Sequence, residues 1–112
     1  ASVCRNVTVY FDLDQATLTS DARSALDTQA SCFMEAGRPV RAEGHADERG
    51  TTDYNLALGQ RRAEAVVRYL SSTGVPASLL TVVSYGEERP ATRDHDEAGW
   101  AENRRVQVLA SH

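Results

Sequence analysis

The order of patterns along the chain predicts an α/β fold: an α+β sandwich of βαβαβ(α)β order, with helices packed on a four-stranded sheet. Three observations carry the prediction. Short β-branched and aromatic runs alternate with stretches whose apolar residues recur at helical spacing. Gly and Pro close the two longer helical stretches, at Gly37 with Pro39 and at Gly74 with Pro76. No internal repeat, low-complexity tract or long linker interrupts the 112 residues, so 1–112 reads as a single domain with a modest core.

Val7-Thr8-Val9-Tyr10-Phe11 is the first strand. Asp12-Leu13-Asp14-Gln15 turns outward, and Thr19 or Ser20 can cap the helix that follows. Ala22, Leu26, Ala30 and Phe33 give that helix its apolar face. The second strand runs roughly from Val40 to Gly44 and a long helix from about Thr52 to Ser72. A short helical turn at Ala77–Leu79 leads to the third strand, Thr81 to Tyr85, and Gly86 and Pro90 bracket a polar loop. A short helix from about Asp96 to Asn103 precedes the fourth strand, Val106 to Leu109.

Composition excludes several classes. Net charge is −4, and all 12 basic residues are Arg, so nucleic acid and anionic membrane surfaces are poor partners. No apolar run approaches the ~20 residues needed to span a bilayer. No signal peptide is visible, and Ala1 reads as the start of a trimmed piece with any anchor upstream. There is no G-x-S-x-G elbow, no Cys with a local His, and no Gly-rich loop with Lys, so nothing demands an enzyme or a cofactor. Glu43, His45 and Asp47 alternate and could mimic a metal site. The other candidate ligands, His95 and Asp96, are far along the chain, and a strand running into a polar turn is the favoured reading.

The stretch Glu43 to Arg62, EGHADERGTTDYNLALGQRR, is the candidate site. It passes from a strand end through a turn with charge on Asp47, Glu48 and Arg49, closed by Gly50, into the long helix. At 100° per residue, Leu56, Ala63, Val67 and Leu70 form the core stripe of that helix, and Gln60, Arg61, Glu64 and Arg68 its solvated face. Asn55, Leu58, Arg62, Val66 and Tyr69 fall on a third side bordering the core, which gives Arg62 a half-buried address. Helical side chains lean toward the N-terminus, so Arg62 aims back at Asn55 and the turn holding Asp47. An acid and a guanidinium at a helix start can receive a group carrying both a cation and an anion. A structural Asp–Arg salt bridge fits the same spacing.

The segments GHADERGTTDYNLALGQRRAEAV, SYGEERP and ENRRV resemble the OmpA-like peptidoglycan-binding domain, and within it the peptidoglycan-associated lipoprotein branch. The resemblance runs from Val9-Tyr10-Phe11-Asp12 to Arg104-Arg105-Val106. It implies a mixed sheet and a non-catalytic domain that binds the peptidoglycan stem peptide through meso-diaminopimelate. It further implies a place at the periplasmic face of a Gram-negative-type outer membrane, a TolB-like periplasmic protein as alternative partner, and a monomer. By position in the motif, Asp47 takes the ligand ammonium and Arg62 its carboxylate. Asn55 adds amide hydrogen bonds, Asp14 lines the groove, Leu58 supports the methylene chain, and Arg104 makes a further carboxylate contact. Each has a plainer alternative: an Asx turn for Asp14, packing for Leu58, a solvated arginine at a helix end for Arg104.

Two features depart from the family pattern. Gly99-Trp100 stands where relatives often carry Ala and Tyr, with Trp100 either on the groove rim or in the core. Cys4 and Cys32 are the other departure. In a strand–helix unit whose helix runs back along the strand they come close, so a disulfide is geometrically reasonable. It would stabilise by roughly 3 kcal/mol and imply an oxidising compartment. Two free thiols are the alternative; lipidation of Cys4 is disfavoured, since it sits almost on the first strand.

Overall fold

A computed structural model describes residues 4–111. Its elements are β1 (Val7–Tyr10), α1 (Ser20–Ala36), β2 (Val40–His45), α2 (Thr52–Thr73), a 3₁₀ turn (Ala77–Leu79), β3 (Leu80–Gly86), α3 (Glu97–Asn103) and β4 (Arg105–Ala110). The expected order holds, and ends differ by a residue or so. The strands form one mixed sheet in the order β1-β4-β2-β3, antiparallel except for the parallel β2–β3 pair. Sequence pattern alone does not place β4 between β1 and β2, because that pairing joins the two ends of the chain.

Local chemistry sets the element ends. The Thr19 hydroxyl accepts from the Ala22 N–H at 3.0 Å and the Thr51 hydroxyl from the Tyr54 N–H at 3.1 Å, which caps α1 and α2. Gly37 and Gly74 close these helices in the left-handed conformation open to glycine. The expected face of α1, Ala22, Leu26, Ala30 and Phe33, is buried. Val9, Val106 and Gly44 align across the sheet, as do Val7, Val108 and Ala42; Val9, Val106 and Val108 belong to the core with that face of α1, and Val7 packs against it.

α2 corrects one expectation. Leu56, assigned to the core stripe, is 45% exposed, and Arg62, given a half-buried address, is 0% exposed. The buried stripe is Asn55, Leu58, Gly59, Arg62, Ala63, Val66 and Leu70. The cause is a backbone contact between α2 and β2. A Cβ on Gly44 would stand 1.8 Å from the Gly59 carbonyl oxygen, and one on Gly59 would stand 2.9 Å from the Gly44 oxygen. With no side chain between them, helix and strand touch directly at Gly59. That rotates the buried face toward Asn55 and Arg62 and turns Leu56 outward.

Cys4 and Cys32 form a disulfide with a Cα–Cα distance of 5.7 Å, tying the chain ahead of β1 to the last turns of α1. No helix among the described residues is long and apolar enough to cross a membrane. Because β1, β2 and β3 run in one direction, their carboxyl ends meet the start of α2 at one end of the sheet, and the disulfide lies at the other.

Candidate functional site

At the carboxyl ends of β1 and β2 the chain leaves the sheet, and its carbonyls lose their ladder partners. Arg62 collects three of them. Its Nε donates to the Gln15 carbonyl at 2.7 Å, Nη1 to that of His45 at 2.9 Å and Nη2 to that of Asp12 at 3.0 Å. The guanidinium carbon lies 5.3 Å from the centre of the Phe11 ring. Burial pushes the Arg62 pKa down to about 10, with Asp47 holding it up, so the side chain remains a cation at neutral pH. Arg62 thus ties the turn after β1 to the end of β2. Two of its five N–H bonds remain for another acceptor.

Asp47 is 4% exposed and belongs to Arg49 instead of forming the Asp47–Arg62 salt bridge that spacing allowed. Its Oδ1 accepts from the Arg49 backbone N–H at 3.0 Å and from Arg49 Nε at 3.2 Å, and its Oδ2 from Arg49 Nη2 at 2.9 Å. Burial pushes the carboxyl up. The hydrogen bonds from Arg49, with the charges of Arg49 and Arg104, outweigh that and leave it below the ordinary carboxylate value.

The remaining expected residues gather around this pair. Asp14, Asp47, Asn55, Leu58 and Arg62 line one small depression together with Leu13, Ala46 and Arg49. Asn55 lies under it, its two amide N–H groups committed to the Arg49 carbonyl and the Glu87 carboxylate, each at 3.0 Å. It can therefore offer a ligand only its oxygen. Asp14 sits at φ 57°, and the turn there is closed by the Gln15 N–H donating to the Asp12 carbonyl at 3.1 Å, not by an Asx bond. The Asp14 carboxylate instead accepts from the Tyr54 hydroxyl at 3.2 Å. Arg104 is not a solvated arginine. It is buried, donating from Nε to the Phe11 carbonyl at 2.9 Å and from Nη2 to Glu97 at 3.0 Å. Its Nη1 has no hydrogen-bond partner and lies 3.6 Å from Asp47 Oδ2.

Three lining residues escaped the sequence reading: Leu13, Ala46 and above all Arg49. Its signal was present in the Asp47-Glu48-Arg49 run, which read only as a charged turn. Trp100 stands on the rim, with the Arg49 guanidinium 4.1 Å above its ring and its indole N–H donating to Glu48 at 3.0 Å. The Glu43 and His45 side chains lie outside the depression. Glu43 pairs with Arg41, and the His45 ring packs 5.6 Å from Tyr85. Among the described residues no three His, Cys, Asp or Glu side chains come together as metal ligands.

Known proteins share this arrangement of elements. Residues 10–104 match the OmpA family. The chain is 52% identical over 101 residues to a peptidoglycan-associated lipoprotein of Pseudomonas aeruginosa, which covers 90% of this chain and 60% of that protein. It is 50% identical over 105 residues to one from Haemophilus influenzae, covering 92% and 67%. The chain thus spans about three fifths of the length of the Pseudomonas relative. In structure it is similar to the peptidoglycan-associated lipoprotein of Burkholderia pseudomallei, with a TM-score of 0.90, 42% identity and coverage of 94% of this chain and 90% of that one. The cell wall anchor of a Pseudomonas aeruginosa T6SS gives a TM-score of 0.79 at 27% identity, covering 95% and 81%. These relatives take their names from a cell-wall association and not from a reaction. With nearly the whole chain matched and half its residues identical to such relatives, this protein belongs to the OmpA family.

Proposed function

We propose that the domain binds peptidoglycan without chemistry, seating the free end of a meso-diaminopimelate side chain at the carboxyl ends of the strands. In doing so it anchors an outer-membrane or lipid-linked protein to the cell wall at the periplasmic face. The observation that carries this reading is the convergence of Asp14, Asp47, Asn55, Leu58 and Arg62 on one depression, with Arg104 in contact with Asp47. These side chains come from four separated segments of the chain. Their chemistry suits a zwitterionic end group: Asp47 for the ammonium, the spare N–H bonds of Arg62 and the unpartnered Nη1 of Arg104 for the carboxylate, and Leu58 with Leu13 for the methylenes.

The test is calorimetric titration with a diaminopimelate-containing muropeptide, comparing the wild type with Asp47→Asn. Arg62→Ala is the less clean variant, because Arg62 also holds three backbone carbonyls. Loss of one charge-assisted contact predicts affinity weakened by about 10- to 100-fold in a folded Asp47→Asn domain. Absence of binding by the wild type at millimolar peptide would remove this reading.

A second reading has its own observation. Leu13 is 47% exposed and Tyr54 40% exposed beside the depression, apolar surface that suits a protein partner such as a TolB-like protein. Such a partner would cover the same groove and compete with the stem peptide.

A further inference from the structure

The depression is nearly filled. Around Asp47 and Arg49 its free volume is only about 10 Å³, room for one water at most. Arg49 occupies its acidic side. Its guanidinium spans both carboxylate oxygens of Asp47, at 3.2 Å and 2.9 Å, a cation on the same atoms that the reading above assigns to a ligand ammonium.

The same guanidinium is held from a second side at the same time. Its carbon lies 4.1 Å from the Trp100 ring centre, and its Nη2 lies 3.9 Å from Glu97 Oε2. Trp100 is itself fixed by its hydrogen bond to Glu48, which pairs with His95. Arg49 is also the more movable partner, with a side chain 33% exposed against 4% for Asp47. Its backbone N–H, which holds the turn on Asp47, need not move when the side chain leaves.

We propose that Arg49 is a self-capping and specificity-determining side chain. In the free domain it neutralises Asp47, and it gives up Asp47 while keeping Trp100 and Glu97 when a zwitterionic end group enters. The exchange replaces one cation on Asp47 by another. A ligand with a carboxylate but no ammonium cannot complete it, because it would leave the buried Asp47 carboxylate with a weakened set of partners. The cap thus selects for a free amino group next to the carboxylate, at the expense of affinity. This inference rests on the site reading above.

The experiment uses the muropeptide and free meso-diaminopimelate as probes, on the wild type and Arg49→Gln. Removing an internal competitor at a partly exposed pair predicts about 3- to 10-fold tighter binding by Arg49→Gln. Trp100 is the sole tryptophan of the chain, and its emission should shift with ligand in the wild type and not in the variant. Binding by the wild type with equal or weaker binding by Arg49→Gln overturns the cap and leaves the site reading intact. An emission change of equal size in both proteins also overturns the cap. Absence of binding by the wild type at millimolar peptide removes both ideas together.

Discussion

At the end of the sheet where Cys4 meets Cys32, burial is hydrocarbon and sulfur: Phe33, Val40, Leu70 and Val75 are all but inaccessible. At the opposite end Arg62, Asn55, His45 and Asp47 are nearly as inaccessible, yet each is polar. Both ends are equally closed to water, and they are closed by different means. Apolar packing asks only for volume and shape, so many side chains serve. Polar burial asks for a partner at each atom, and Arg62 satisfies it with three carbonyls from two separate segments. One end holds the fold together cheaply. The other accepts desolvation in return for donors and acceptors held at fixed positions, which is what a binding site needs.

Volume-conserving substitutions give the largest expected contrast. Arg62→Met keeps a long side chain and strands the carbonyls of Asp12, Gln15 and His45, which should destabilise the domain by about 3–5 kcal/mol. Leu70→Met at the apolar end should cost less than about 1.5 kcal/mol. Urea denaturation of both variants measures the difference directly. If Arg62→Met stayed within 1.5 kcal/mol of the wild type, the distinction between the two ends would collapse.

The apolar end was also the more legible in sequence. The face of α1 follows from its spacing, and Gly37 and Gly74 announce the helix ends, because hydrophobic periodicity and left-handed turns are written residue by residue. The polar end was legible in part: counting around α2 aimed Arg62 at Asn55 and the Asp47 turn, and motif resemblance supplied the other residues, but neither gave their partners. Counting around α2 placed Leu56 inside and Arg62 at the border, since hydropathy gives no weight to Gly59. Yet the contact of Gly59 with Gly44 sets the rotation of the helix. The capture of Asp47 by Arg49 was hidden for a similar reason: two opposite charges one residue apart in a turn can face water or each other, and only the fold decides.

The covalent part of the contrast comes next in size. The disulfide joins residues 28 apart in sequence, for which loop-closure entropy predicts about 3 kcal/mol. Reduction, or the double variant Cys4→Ala with Cys32→Ala, should lower the melting temperature accordingly. Because the bond lies at the far end from Asp47 and Arg62, muropeptide affinity of the protein that remains folded should stay unchanged. A loss of affinity in the folded, reduced domain would show that the two ends are coupled and not merely different.

The smallest effect belongs to His45, where the polar end breaks its own rule. The residue is 2% exposed and neither ring nitrogen has a hydrogen-bond partner. Burial, with Arg105 and Arg89 nearby, pushes its pKa from 6.5 down to about 4. The folded state therefore binds fewer protons than the unfolded chain between those values, and stability must fall as pH drops through that window. The contribution is complete above pH 6.5, with about 2 kcal/mol lost by pH 5. Asp47, whose pKa is depressed, acts lower down, below its ordinary value of 3.8, so the two windows separate. His45→Phe keeps the ring, which packs against Tyr85, and removes the proton. The variant should be at least as stable as the wild type at pH 7, with the loss between pH 6.5 and 4 reduced by one proton's worth. An unchanged acid slope would mean that His45 finds a partner in solution, and that the polar end obeys full pairing after all.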